Sequence, residues 1–276
     1  MADSQEIITK CSDIPAIKSG TLMQQETRRV IHALADGRVQ LFYQPVLRAD
    51  TDNFIAFYEG LARIYMPDGS IVAAGQFMPF VENTQLGRTL DCKALEIAVE
   101  TLHAYPDIRL SVNLSAYSMS DPKWLNIFHS CAKDIGDRLI LEITEGAAMT
   151  DIELTTAFMH RARQFGCSVA LDDFGTGQTA FRYFRDFLFD IVKIDGLFIR
   201  DLPYNADNRV LVEALVKISQ HFGMFSVAEY IETPEEARVA SELGVDCLQG
   251  YLIGQPTPVP ESPLIRTQAE THKIAG

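Results

Sequence analysis

Cysteine is scarce in this chain, and its spacing gives it no structural part. The residues Cys11, Cys92, Cys131, Cys167 and Cys247 are odd in number and form no C-x-x-C pair, so neither a disulfide framework nor a zinc site is expected. Histidine is dispersed and forms no H-E-x-x-H, which argues against a zinc protease. No apolar run approaches the ~18 residues a membrane helix needs. The opening Met-Ala-Asp-Ser-Gln-Glu lacks the basic-then-apolar pattern of a signal peptide. A soluble, cytoplasmic protein with no membrane segment is the expectation. Positive charge is also short: 24 Lys and Arg face 37 Asp and Glu, for a net charge of −13. That argues against polymeric nucleic acid, whose phosphates need a basic face. A small phosphate-containing ligand stays open, because bound divalent cations invert the field of an acidic site.

What is present suits one large barrel. The chain has 276 residues, 47% of them hydrophobic, and barrels of this kind run to roughly 250 residues. No low-complexity linker interrupts it. Residues 1–20 read as a flexible lead, 21–262 as one domain and 263–276 as a loose tail. Leu22 to Ala35 has helical spacing, ended by Asp36-Gly37, where glycine suits a left-handed cap. Short apolar strands then alternate with amphipathic helices. The strand candidates are 39–44, 54–61, 109–114, 138–143, 168–172, 190–194, 225–229 and 247–251. Leu95, Ala98, Val99 and Leu102 mark one helix face, and Val210, Val212, Leu215, Val216 and Ile218 another. Continuous apolar strands separated by helices mean a parallel sheet covered by helices. Between the first two strands only Pro45 to Asn53 intervene, too few for a parallel crossover of a dozen or more residues. The expected fold is therefore an α/β protein, a modified TIM-type (β/α)8 barrel with its first strand antiparallel.

Chemistry in such barrels collects at the C-terminal ends of the strands. The pair Asp172-Asp173 lies at one such end, followed by Phe174-Gly175-Thr176-Gly177. Adjacent acids there repel and cost desolvation unless something positive neutralises them, although an acidic turn is the simpler reading of this dipeptide alone. Other strand ends carry related groups: Glu59 and Arg63, Asn113, Glu142, Lys193 with Asp195, Glu229, and Gln249. Carboxylate and amide oxygens are hard donors suited to magnesium or manganese. Two such ions roughly 3.5–4 Å apart serve phosphodiester hydrolysis.

Tyr43-Gln44-Pro45, Glu59-Gly60-Leu61 with Arg63, Val112-Asn113-Leu114-Ser115, Leu141-Glu142-Ile143-Thr144-Glu145, Asp172-Asp173-Phe174-Gly175-Thr176-Gly177, Lys193-Ile194-Asp195, Ala228-Glu229 through Glu232-Thr233, and Gln249-Gly250-Tyr251 follow one another in an order that resembles the EAL domain family. The resemblance runs from about Leu22 to Pro258. It implies a cyclic di-GMP phosphodiesterase that uses two divalent cations, Mg2+ or Mn2+, and yields linear 5′-pGpG. By resemblance, Glu59, Asn113, Glu142 and Asp172 hold one cation, while Asp172, Asp173 and Glu229 serve the other. Lys193 stabilises the transition state or positions water. Asp173 and Glu229 belong with it to the catalytic group, Glu229 as ligand or as general base. Arg63 meets a substrate phosphate. Gln44 and Gln249 sit near a guanine or ribose, with Glu59 and Asp195 also on the substrate side. Glu145 anchors the loop after Asp173, and a homodimer is implied.

The pattern departs from the family at four places. Gly60 replaces Ala, Ile64 stands where Trp is common, Gln178-Thr179-Ala180 replaces Tyr-Ser-Ser, and Tyr230 replaces a Gly directly after Glu229. If that last position needs positive φ, Tyr230 is strained; otherwise its ring can narrow the second cation's pocket. A catalytically inactive cyclic di-GMP receptor is the alternative to the enzyme. Receptors of that kind typically lose metal ligands, and none of the seven residues Glu59, Asn113, Glu142, Asp172, Asp173, Lys193 and Glu229 is lost here.

Overall fold

The computed structural model describes residues 22–50, 54–175, 187 and 189–260. The lead, the tail and Gln178-Thr179-Ala180 lie outside the described residues. Helix α1 (Leu22–Ala35) ends where the pattern places it, with Gly37 at φ 67°. Strands β1 (Val39–Arg48) and β2 (Ile55–Tyr65) form an antiparallel pair in which Gln44 faces Glu59. There follow β3 (Ile71–Ala73), α2 (Ala74–Val81), α3 (Gln85–Ala104), β4 (Leu110–Asn113), α4 (Pro122–Ile135), β5 (Leu139–Thr144), α5 (Glu145–Thr150) and α6 (Ile152–Gln164). The chain continues through β6 (Ser168–Phe174), β7 (Ile191–Ile194), α7 (Gly196–Ile199), α8 (Ala206–His221), β8 (Phe225–Ala228), α9 (Pro234–Glu242) and β9 (Cys247–Leu248).

Eight of these strands close a barrel in the order β1-β9-β8-β7-β6-β5-β4-β2, sealed by the β1–β2 pairing. From β2 through β9 all neighbours are parallel, while β1 runs antiparallel to both β2 and β9. The short β1–β2 connection forces this reversal, since it leaves no chain for a crossover helix. β3 hangs outside the barrel on the far end of β2. Its three residues are too few to register as a strand in the sequence. The last strand is shorter than the expected 247–251: the Gln249 N–H still completes the ladder to the Ala228 carbonyl, but the Gln249 carbonyl accepts from Ile231, in the turn beyond the end of β8.

The parallel strands are buried on both faces and read as apolar runs. Leu139, Ile140 and Leu141 in β5 and Val169 and Ala170 in β6 are wholly buried. In α3, Leu95, Ala98 and Leu102 pack inward as their spacing predicts, with Val99 beside them. Val210 differs from expectation. It is 66% exposed, while Val212, Leu215 and Val216 are buried, because the helical turn carries Val210 and Leu211 to the outer face. Among the described residues, no helix is long and apolar enough to cross a membrane.

One buried acid ties the helical shell to the barrel. Asp91 of α3 accepts the backbone N–H and the hydroxyl of Ser115 and the hydroxyl of Ser118. These residues form the turn that leaves β4 just after Asn113. Burial pushes the Asp91 carboxyl above its ordinary pKa, and the three hydrogen bonds only partly offset this. Asp91→Ala leaves those donors in a buried site without an acceptor. The expected loss is about 2–3 kcal/mol in urea-induced unfolding.

Candidate functional site

At the C-terminal ends of the strands a cavity of about 410 Å³ opens, lined by Gln44, Glu59, Arg63, Asp172, Asp173, Lys193, Glu229 and Gln249. Strand pairing brings the ligand-competent groups into line. Glu59 lies opposite Ser111, Asn113 opposite Glu142, and Asp172 opposite Thr144. Asn113 is exposed, and its amide donates to Glu59 Oε1 at 3.2 Å. Glu142 is fully buried beneath the cavity floor.

Two adjacent residues of a regular strand point to opposite faces, so Asp172 and Asp173 could not both face one cavity without a break in the ladder. The break is there. Between β6 and β7 the register advances from Leu171 opposite Val192 to Phe174 opposite Ile194, one extra residue on the β6 side. Asp173 takes φ 55° within that bulge, and both carboxylates line the cavity. Carboxylate oxygens of Asp172, Asp173 and Glu229 lie within 4.8 Å of one another.

Lys193 is 1% exposed and stands at the centre of four acids. Its Nζ is 2.9 Å from Glu142 Oε2, 2.9 Å from Glu229 Oε1, 3.0 Å from Asp172 Oδ1 and 3.2 Å from Glu59 Oε2. An ammonium has three protons, so one of the four contacts is Coulombic only. Burial works to discharge Lys193, but the carboxylates of Asp172, Glu142, Glu229 and Glu59 outweigh it and hold its pKa well above the ordinary value. Burial likewise lifts Glu142 to about 8, with Glu59 adding to it. It lifts Asp173 to about 6, with Asp172 and Asp195 adding. Glu229 is also pushed well up by burial. Burial acts on Glu59 as well, but the ammonium and the hydrogen bonds from Gln249 and Asn113 outweigh it and keep its pKa low.

On the other side of the cavity, Gln249 Nε2 donates to Glu59 Oε2 at 2.5 Å and to Gln44 Oε1 at 3.3 Å. Gln44 in turn donates to the Gly254 carbonyl. Arg63 packs its guanidinium over the Phe42 ring. Asp195 caps α7 by accepting the Leu197 N–H, and it is not among the cavity-lining residues. Glu145 is buried in the first turn of α5 and accepts the Gly175 N–H, at the point where the chain leaves β6. The turn after Glu229 is held by a capping box: Glu236 accepts the N–H groups of Glu232 and Thr233 while Thr233 caps α9.

Several lining residues were not assigned a site role from sequence, Tyr230 and Arg200 among them. Tyr230 sits at φ 55°, a left-handed conformation costing about 1–2 kcal/mol for a residue with a Cβ. The position therefore does require positive φ, and the ring also borders the cavity. Arg200 borders it too, yet in the segment Phe198-Ile199-Arg200 nothing distinguishes it from an ordinary helix end.

The donor set fits a pair of hard divalent cations. All the candidate ligand atoms are carboxylate or amide oxygens, and the buried Glu142 Oε1 accepts no hydrogen bond. The five candidate ligand carboxylates with Lys193 among them leave four negative charges when all are ionised, which two divalent cations would neutralise; Glu232, Arg63 and Arg200 of the same lining lie outside this set.

The model of the EAL domain matches residues 27–256, and the chain belongs to that family. The probable cyclic di-GMP phosphodiesterase PdeA of Escherichia coli is 30% identical over 238 residues, covering 82% of this chain and 32% of PdeA. The bifunctional diguanylate cyclase/cyclic di-GMP phosphodiesterase MucR of Pseudomonas aeruginosa is 31% identical over 251 residues, covering 85% of this chain and 36% of MucR. The chain thus spans about a third of the length of these relatives. The solved structure of the PaMucR phosphodiesterase in complex with c-di-GMP matches with a TM-score of 0.74 at 28% identity, covering 85% of this chain and 98% of that one. The EAL domain of FimX from Pseudomonas aeruginosa, solved bound to c-di-GMP, shares the fold at TM-score 0.77 and 22% identity, covering 86% of this chain and 97% of that one.

Lys193→Met leaves the four surrounding carboxylates without their buried counter-charge. In chelator-treated buffer this is expected to cost about 3–5 kcal/mol of stability, read by chemical denaturation.

Proposed function

We propose that this protein hydrolyses cyclic di-GMP to linear 5′-pGpG with the help of two divalent cations. The observation that carries the reading is the convergence of Glu59, Glu142, Asp172, Asp173 and Glu229 around Lys193 in and beneath one cavity, in a chain of the EAL family. Glu59, Asn113, Glu142 and Asp172 are assigned to one cation and Asp172, Asp173 and Glu229 to the other. Bound there, magnesium or manganese supplies Lewis acidity and an ionised water at neutral pH. Hydrolysis adds the oxygen of water to one phosphorus, in line with the departing 3′-oxygen, which leaves as the ribose hydroxyl.

The protein's own residues bind and orient. Arg63 offers a guanidinium fork to a phosphate. Gln44 and Gln249 serve the guanine or ribose side. Gln249 also holds Glu59 by hydrogen bond, which fixes that carboxylate in one rotamer. Lys193 keeps its positive charge beside the reacting phosphate, where negative charge grows in the transition state. Glu145 tethers the start of the loop that follows Asp173. A homodimer is the proposed assembly. Leu197, Val210 and Leu211 are exposed on α7 and α8, and a second copy would cover them. The reaction is placed in the cytoplasm, in keeping with the buried free thiols of Cys92, Cys131, Cys167 and Cys247.

Incubation with cyclic di-GMP and magnesium or manganese is expected to give 5′-pGpG by chromatography. Binding without product in either metal would assign the chain to the receptor class instead. Glu59→Gln and Asp172→Asn are each expected to lower turnover by about 100-fold or more. Calcium alone is expected to leave the enzyme inactive, because it favours looser coordination of higher number. Full turnover in calcium would contradict the two-cation reading.

A further inference from the structure

Among the described residues two guanidinium groups border the cavity and neither forms an ion pair, although six carboxylates, Glu232 included, lie in or under the same space. Each is instead held over an aromatic ring. Arg63 Cζ lies 5.8 Å from the centroid of Phe42, and Arg200 Cζ lies 5.3 Å from that of Tyr230. Lys193, the remaining cationic side chain of the lining among the described residues, is engaged by four carboxylates.

The Tyr230 side of this arrangement is built at a cost. A bulky residue holds φ 55°, and its hydroxyl has no hydrogen-bond partner among the described residues to offset it. Strain kept in a cavity wall is a pointer to function. The ring lies against Gly196, where any Cβ would meet its carbons at 2.6 Å. The bare glycine on α7 therefore makes room for the tyrosine after β8. Arg200 sits at the end of the same short helix, so α7 supplies both the seat for the ring and the guanidinium laid over it.

We propose that Arg200, positioned by Tyr230, is a second phosphate contact for the dinucleotide, serving the phosphodiester that Arg63 does not. This rests on the functional reading given above. A cyclic dinucleotide carries two anionic phosphodiesters into a strongly acidic cavity. Even with the carboxylates neutralised by cations, a guanidinium fork suits each phosphodiester, and Arg63 and Arg200 are the two guanidinium groups of the lining among the described residues. The tyrosine keeps Arg200 extended over the opening instead of collapsed onto Asp173 or Glu229.

Calorimetric binding of cyclic di-GMP, measured in calcium so that turnover does not consume the ligand, tests this. Arg200→Met, a change at an exposed side chain, is expected to weaken binding about tenfold or more. Tyr230→Gly removes the ring and the strain together. It is expected to unfold at a temperature no lower than the parent protein and still to weaken binding about fivefold, whereas Tyr230→Phe keeps the parent affinity within twofold. The double variant Arg200→Met/Tyr230→Gly is expected to bind no more weakly than Arg200→Met alone, since the tyrosine acts through the arginine. Arg200→Met within twofold of the parent, or additive losses in the double variant, would overturn the assignment while leaving the site's reading intact. A parent protein that binds no cyclic di-GMP would overturn both.

Discussion

The arrangement of this molecule depends on one electrostatic compensation, the ammonium of Lys193 in the midst of Glu59, Glu142, Asp172 and Glu229. Four acids gathered where the barrel strands end would drive the strands apart or take up protons. The lysine cancels one charge and ties four strands, β2, β5, β6 and β7, together with the turn after β8. The rest of the charge remains, and it shows as carboxyls lifted by burial at Glu142, Asp173 and Glu229. The cluster of Asp172, Asp173 and Glu229 within this site could hold a metal ion.

The fold gathers these charges by geometry. Reversing β1 lets the barrel close through a short hairpin, which sets Gln44 opposite Glu59 and lets Gln249 bridge them from just past the last strand. The bulge in β6 turns two consecutive aspartates to the same side. Both are departures from regular sheet geometry, and both fall at the site. So does the left-handed backbone of Tyr230, an instance of strain held where surrounding structure over-determines it.

Much of this was legible in the sequence, for a reason that can be traced residue by residue. Parallel strands buried on both sides are apolar along most of their length, so Leu139 to Leu141, Val169 to Leu171 and Ile191-Val192 stand out, and the first polar residue after each run marks the approach to a strand end. Glu142, Asp172 and Lys193 were found that way. The exposed Val210 was misread because a crowd of β-branched residues has no clear helical face until the helix is docked. β3 escaped because three residues carry no period. Asp91 escaped because a lone acid on an amphipathic helix resembles a solvated one until Ser115 and Ser118 are brought to it.

By itself the sequence determined the closed α/β barrel, its reversed first strand and the list of oxygen donors at its rim, since these follow from chain-local periodicity and from residue types at strand ends. Tertiary structure alone decided which donors meet. It placed Lys193 among four acids drawn from separate strands, turned Asp173 to the side of Asp172, and laid Arg200 over a strained Tyr230. Those outcomes depend on the register between strands distant in the chain and on backbone torsions that no single residue type dictates.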